Sequence, residues 1–130
     1  MNVGQIPAKW SRQTPAREAV VDATIGRRIT FAELDFGVRK LANALLGLGL
    51  DKGDRVGILS MNSIEYLTLY FACGRAGLIA QPMNWRLSPP ELKNIIDNGE
   101  PRVFITQGKY VEAAAEVSKM VDCVEHWLQY

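Results

Sequence analysis

The sequence predicts an α/β fold built on a parallel sheet, and three observations carry that prediction. Short apolar, β-branched runs alternate along the chain with longer amphipathic patterns of helical period. The run Val56-Gly57-Ile58-Leu59 is apolar without alternation, as a strand covered on both faces by helices has to be. Three positions carry the same helix-start device, a side-chain oxygen followed three residues later by Glu, each satisfying a backbone N–H that would otherwise go unpaired. These pairs are Thr30/Glu33, Asn62/Glu65 and Ser88/Glu91.

The elements follow in order. A helix is expected over Ile6 to Gln13. The runs Ala19 to Asp22 and Arg28 to Phe31 flank Ile25-Gly26 and read as a hairpin. After Thr30, the residues Leu34, Val38, Leu41, Ala42, Leu45 and Leu48 recur at helical spacing, giving a helix over 32–48 that Gly49 ends in a left-handed conformation. A strand over 55–60, a helix over 63–76 and a strand over 79–83 come next. Pro89 then occupies a first helical position, where its missing N–H costs nothing, and Leu92, Ile95 and Ile96 form the apolar stripe of a helix over 89–98 that ends near Gly99. A strand over 102–106, a helix over 109–120 and a last strand within Cys123 to Gln129 complete the series.

Composition excludes several functions. A chain of 130 residues with 48% hydrophobic and 22% charged residues has the balance of an ordinary globular domain. Fifteen basic against fourteen acidic residues leave a formal charge of +1, too little to draw nucleic acid or an anionic membrane surface. The stretch from Ile64 to Pro82 is interrupted by Glu65 and Arg75 and does not suit a bilayer span of roughly 20 apolar residues. The opening Met-Asn-Val-Gly-Gln-Ile-Pro lacks the basic and apolar regions of a secretory signal, so a cytoplasmic protein with reduced Cys73 and Cys123 is expected. Cys123 and His126 form a Cys-x-x-His pair, but zinc takes three or four ligands and the chain has one histidine, so no metal site is expected.

Three sharper motif readings fail on position. Gly47 to Gly53 is glycine-rich, but it closes a helix and precedes a strand, whereas a phosphate loop follows a strand and opens a helix. A receiver-type domain would gather carboxylates at the C-terminal ends of its strands; only Asp22 is so placed, while Asp51 and Asp54 stand before a strand. Trp10, Trp85 and Trp127 share no spacing that would make a stacking platform and read as packing residues. The segment from Gln81 to Leu92 is different. It places Asn84 and Arg86 after a strand and just before a capped helix, at the edge of a parallel sheet where ligands sit. Arg86 there reads as a phosphate contact or as a solvated surface residue.

Three blocks in order resemble the opening of the adenylate-forming superfamily, specifically its acyl-CoA and aryl-CoA synthetases. They are Arg28-Ile29-Thr30-Phe31-Ala32-Glu33-Leu34; Gly49 to Leu59 followed by Asn62-Ser63 and Glu65; and Gly74-Arg75-Ala76-Gly77 through Pro82, Asn84 and Arg86-Leu87 to Glu91-Leu92. The resemblance covers roughly residues 5 to 107 and implies a Rossmann-like, three-layer N-terminal subdomain occupying 1–130. Asn84 before Arg86-Leu87 is similar to the CoA-ligase branch; peptide-synthetase domains usually carry Asp at that place. The resemblance implies a two-step reaction in which ATP and a carboxylic acid, fatty or aryl, give an acyl-adenylate and pyrophosphate, and the CoA thiol then displaces AMP. Mg²⁺ would neutralise the polyphosphate. The family's phosphate loop, ribose-binding Asp and C-terminal catalytic Lys are not found among these residues, so no catalytic residue is expected here, and ATP, CoA and Mg²⁺ are not expected to bind this segment tightly. Arg86 is the one residue to which the resemblance assigns a contact, with a phosphate of CoA.

His126-Trp127-Leu128-Gln129-Tyr130 brings no polar tail. It predicts a chain interrupted inside a larger fold, with an exposed apolar face, low solubility or self-association; homo-oligomerisation stays open. Two alternatives remain beside the ligase reading. One is a self-standing α/β binding module derived from such an enzyme. The other is the N-terminus of a luciferase-like or peptide-synthetase adenylating enzyme.

Overall fold

The computed structural model describes residues 2–130, and the chain divides into two compact units. One holds residues 2–52 with Asn62–Leu78; the other holds Gly53–Met61 with Ile79–Tyr130.

The first unit begins with a 3₁₀ turn, Val3–Gln5, and helix α1, Ile6–Gln13. Strands β1, Glu18–Asp22, and β2, Arg27–Thr30, form the expected hairpin, antiparallel and turning at Gly26 with φ +68°. Asp22 therefore lies on this separate two-stranded sheet and not at the end of a parallel strand, which removes the one carboxylate a receiver domain would have needed. Helix α2 runs Phe31–Gly47 and α3 runs Ile64–Ala76. At the start of α2 the Thr30 N–H and hydroxyl both donate to Glu33 Oε2, at 2.7 and 2.9 Å, and the Glu33 N–H donates back to the Thr30 hydroxyl at 3.3 Å. Leu34, Val38, Ala42 and Leu45 are buried as their spacing predicts, and Leu34, Val38 and Ala42 meet Ala72 of α3 in one cluster. Gly49 takes the left-handed conformation at φ +86°.

The device expected at Asn62/Glu65 is not formed. Ser63 is the N-cap of α3, its hydroxyl accepting from the Tyr66 N–H at 3.0 Å, and Glu65 pairs instead with Arg27 at the end of the hairpin. Asn62 and Ser63 both carry a capping oxygen, and the distant Arg27 removes Glu65 from the local competition. Two glycines set a close approach in this unit: a Cβ on Gly4 would lie 2.0 Å from the Arg75 backbone nitrogen, and one on Gly74 would lie 3.1 Å from that of Gly4. The Gly74-Arg75 block thus lets the opening turn dock on α3.

The second unit is a parallel sheet, as expected, with its strands in the order β4-β3-β5-β6. Its strands are β3, Arg55–Leu59; β4, Ile79–Met83; β5, Val103–Thr106; and β6, His126–Gln129. Val56 to Leu59 and all of β5 are buried, matching their uninterrupted apolar runs. Pro82, which has no N–H for the ladder, sits on the edge strand β4. Helices α4, Pro89–Gly99, and α5, Val111–Ser118, cover one face, and Leu92, Ile96, Ala114 and Val117 join Leu59, Met83 and Phe104 in a single cluster. The helix expected over 109–120 is split into a 3₁₀ turn, Gly108–Tyr110, and α5. The last strand begins only at His126.

Gly99 is the last residue of α4, and Glu100 carries the positive φ of +47° that ends it. Gly99 serves packing: a Cβ there would lie 2.0 Å from Gln81 Nε2, and that amide donates to the Ile95 carbonyl at 3.0 Å.

Candidate functional site

In a parallel sheet every strand delivers its C-terminal end to the same edge, and the order β4-β3-β5-β6 reverses between β3 and β5. Four segments of the second unit meet there. These are Ser60-Met61 after β3, Asn84 to Ser88 after β4, Gln107 to Tyr110 after β5, and Tyr130 after β6.

At the switch point the sheet spans the gap with its own groups. The Met61 N–H donates to Gln107 Oε1 at 3.2 Å, the Ser60 and Tyr130 hydroxyls are hydrogen-bonded, and the Gly108 N–H donates to the Tyr130 carbonyl at 2.9 Å. These bonds order the central loops.

The loop after β4 is arranged differently. Asn84 Oδ1 accepts the Arg86 N–H at 3.0 Å, and the Asn84 carbonyl accepts the Leu87 N–H at 3.1 Å, so Asn84 folds the turn from both of its oxygens. Ser88 then starts α4, its N–H and hydroxyl both donating to Glu91 Oε2 at 2.8 and 2.7 Å, which holds the Glu91 carboxyl below the usual carboxylate range. Arg86 stands between these fixed points. It is exposed and makes no ion pair among the described residues, and its guanidinium lies 4.6 Å from the centre of the Trp85 ring. Trp85 in turn stacks on Tyr110, with ring centres 5.7 Å apart and planes inclined by 28°. Strands two places apart in a sheet are separated by about 9–10 Å. The indole after β4 and the phenol after β5 therefore reach toward each other across the end of β3.

The opposite edge of the sheet shows what a paired arginine looks like. Arg102 binds Asp54 Oδ2 through Nη1 at 2.6 Å and Glu125 Oε2 through Nη2 at 2.8 Å. Its bond to Glu125 holds that carboxyl below its ordinary range, and the two carboxylates raise the guanidinium still further above neutral pH. Asp54 is thereby a structural partner before β3, as its position in the sequence implied.

Sequence reasoning found Asn84 and Arg86 and missed Tyr110, which it placed at the start of a helix. It read Trp85 with the other tryptophans, and that holds for Trp10 on Phe31 at 6.0 Å and Trp127 on Phe104 at 4.8 Å. Trp85 also packs on the core cluster, yet it alone of the three lies beneath an arginine. The signal available was positional: Tyr110 follows β5 and Trp85 follows β4 at one sheet edge.

Two cavities are lined by other residues. A cavity of about 470 Å³ lies against α5 and β6, lined by Val111, Ala114, Trp127 and Leu128 among others, with no ionisable side chain. A second, of about 410 Å³, lies in the first unit between the hairpin and the start of α3. Among the described residues no group of three or more His, Cys, Asp or Glu stands close enough to hold a metal ion, and no helix is long and apolar enough to cross a membrane.

A parallel α/β sheet whose strand order reverses between β3 and β5 defines a class of protein that places its ligand-binding loops at the carboxyl edge of the strands. The chain belongs to the AMP-binding enzyme family, whose profile matches residues 7–128. It is 36% identical over 116 residues to a feruloyl-CoA synthase from an Amycolatopsis species, covering 89% of this chain and 23% of that protein. Against the long-chain-fatty-acid–CoA ligase FadD13 of Mycobacterium tuberculosis it is 32% identical over 104 residues, covering 80% and 21%. The crystal structure of the N-terminal domain of FACL13 from the same organism superposes with a TM-score of 0.93 at 27% identity, over 99% of this chain and 33% of that one. The chain thus spans about a quarter of the length of the curated relatives it matches.

Proposed function

We propose that residues 1–130 form the N-terminal subdomain of an ATP-dependent acyl-CoA ligase acting in the cytoplasm on a fatty or aryl carboxylic acid. In the reaction, a carboxylate oxygen attacks the α-phosphorus of ATP, pyrophosphate leaves, and the CoA thiol then attacks the acyl carbon and releases AMP. Family membership supports the reaction class, and the feruloyl and long-chain fatty acyl relatives support the choice of acid.

This segment contributes binding, and we assign no catalytic residue to it. The observation that carries its role is Arg86, a fixed and unpaired cation at the carboxyl edge of a parallel sheet. Arginine presents a planar fork of donors that suits phosphate oxygens, and Asn84 and Trp85 orient it before any ligand arrives. We assign it to a phosphate of CoA. We assign none of the described residues to the Mg²⁺ that ATP brings.

A charge-assisted hydrogen bond of about 1.5 kcal/mol corresponds to about tenfold in affinity. In the full-length protein, Arg86→Ala should raise the Michaelis constant for CoA by that order and leave those for ATP and the acid in place; an unchanged CoA constant would refute the assignment. The isolated 130-residue chain, incubated with ATP, CoA, Mg²⁺ and a panel of carboxylic acids, should release no AMP, and turnover would overturn the division of labour.

A further inference from the structure

We propose that Tyr110 is a positioning residue for the CoA contact of Arg86, acting through Trp85; this rests on the assignment of Arg86 to a CoA phosphate. An exposed arginine has large rotamer freedom, and binding must remove it. Here two constraints do so in advance. Asn84 fixes the Arg86 backbone through the 3.0 Å bond to its N–H, and the Trp85 face holds the guanidinium at 4.6 Å. That face is useful only if the indole itself cannot turn.

Trp85 sits in a loop, and two contacts hold it: packing against the cluster that contains Met83, Leu92 and Phe104, and the stack on Tyr110. Tyr110 is anchored independently, its ring against the same cluster and its N–H on the Gln107 carbonyl at 2.8 Å. The order of support is therefore Tyr110, Trp85, Arg86, from the partly buried to the exposed residue.

The Tyr110 hydroxyl sharpens the inference. It is buried and has no hydrogen-bond partner, so the aromatic ring and not the oxygen does the positioning. Removing a buried hydroxyl that makes no bond is close to neutral, whereas removing the ring frees the indole.

The experiment is steady-state kinetics on the full-length protein with Tyr110→Ala, Tyr110→Phe, Trp85→Leu, Arg86→Ala and the Tyr110→Ala/Arg86→Ala pair. Thermal unfolding of each variant reports folding. Tyr110→Ala and Trp85→Leu are expected to raise the CoA Michaelis constant about two- to fivefold, the value of an exposed cation–aromatic contact, with kcat and the constants for ATP and the acid in place. Tyr110→Phe should restore the wild-type CoA constant, and the double variant should match Arg86→Ala alone. Should Tyr110→Ala not fold, Tyr110→Leu, which keeps apolar bulk and removes the ring, reads the same quantity. A normal CoA constant in Tyr110→Ala beside a raised one in Arg86→Ala overturns the positioning role and leaves the Arg86 contact standing. Equal losses in Tyr110→Ala and Tyr110→Phe, or a general fall in kcat, also overturn it. A normal constant in Arg86→Ala removes the contact and the inference together.

Discussion

Replacing Gly57 by alanine distinguishes what the backbone allows from what the core allows. Gly57 lies in the middle of β3 and is not among the glycines with positive φ. At such a position the exchange ordinarily stabilises by about 0.4–1 kcal/mol, because it narrows the unfolded ensemble. Packing reverses the sign. A Cβ on Gly57 would lie 2.7 Å from Phe104 Cδ2 and 3.3 Å from Met83 Cε, and Phe104 is fully buried with Trp127 against its ring at 4.8 Å. The ring has nowhere to retreat without displacing β6, so overpacking of about 1–3 kcal/mol is expected. For a chain of this size that lowers the melting temperature by about 4–12 °C. The assay is thermal and guanidinium unfolding of Gly57→Ala, Phe104→Leu and the double variant. Phe104→Leu alone should destabilise, and the pair should be less destabilised than the sum by about 1 kcal/mol, because leucine lacks the ring atom that meets the new methyl. A Gly57→Ala variant as stable as wild type, or strictly additive effects, would refute the account of β3 as a strand shaped around one aromatic ring.

Three further predictions test other parts of the fold. Asp35 is buried and holds both Arg75, at 2.7 Å, and Arg39, at 3.1 Å; Asp35→Ala should cost about 2–3 kcal/mol and Arg39→Ala, at the exposed end, less than about 1 kcal/mol in chemical unfolding. Glu33 is held below the ordinary carboxylate range by the Thr30 N–H and then its hydroxyl, and Glu91 by the Ser88 hydroxyl and then its N–H. Because the folded pKa is the lower one, their stabilisation is present above the unfolded value of 4.5 and lost as pH falls through the folded one; Glu91→Gln should flatten that acid limb of the stability–pH curve. Burial pushes the Cys73 thiol up to about 12, so its neutral form favours the fold below the ordinary value of 9.0 and that contribution fades as pH rises toward 12. A thiol reagent should therefore modify the half-buried Cys123 before Cys73, and equal rates would contradict the packing of α3.

What the sequence disclosed and what it withheld divide along range. The boxes at Thr30/Glu33 and Ser88/Glu91 are interactions three residues apart, complete within their own segments, and both form. The uninterrupted apolar runs of β3 and β5 are equally local and announce a parallel sheet. Asn62/Glu65 failed because Arg27, distant in sequence, competes for Glu65 while Ser63 offers the same oxygen one residue on. The helix ends at Gly99 as expected, but that residue is also a slot for Gln81, a partner no periodicity reveals. The candidate site repeats the division. Arg86 was legible because a strand, a short polar loop and a capped helix locate it at a sheet edge. Tyr110 was not, because its relation to Trp85 exists only once β4 and β5 are set on either side of β3. Local patterns place Arg86 at the sheet edge, whereas the aromatic pair beneath it is specified by strand order. A search for the support of an edge arginine in this family should therefore begin at the end of the strand two places away in the sheet, and not among its neighbours in the chain.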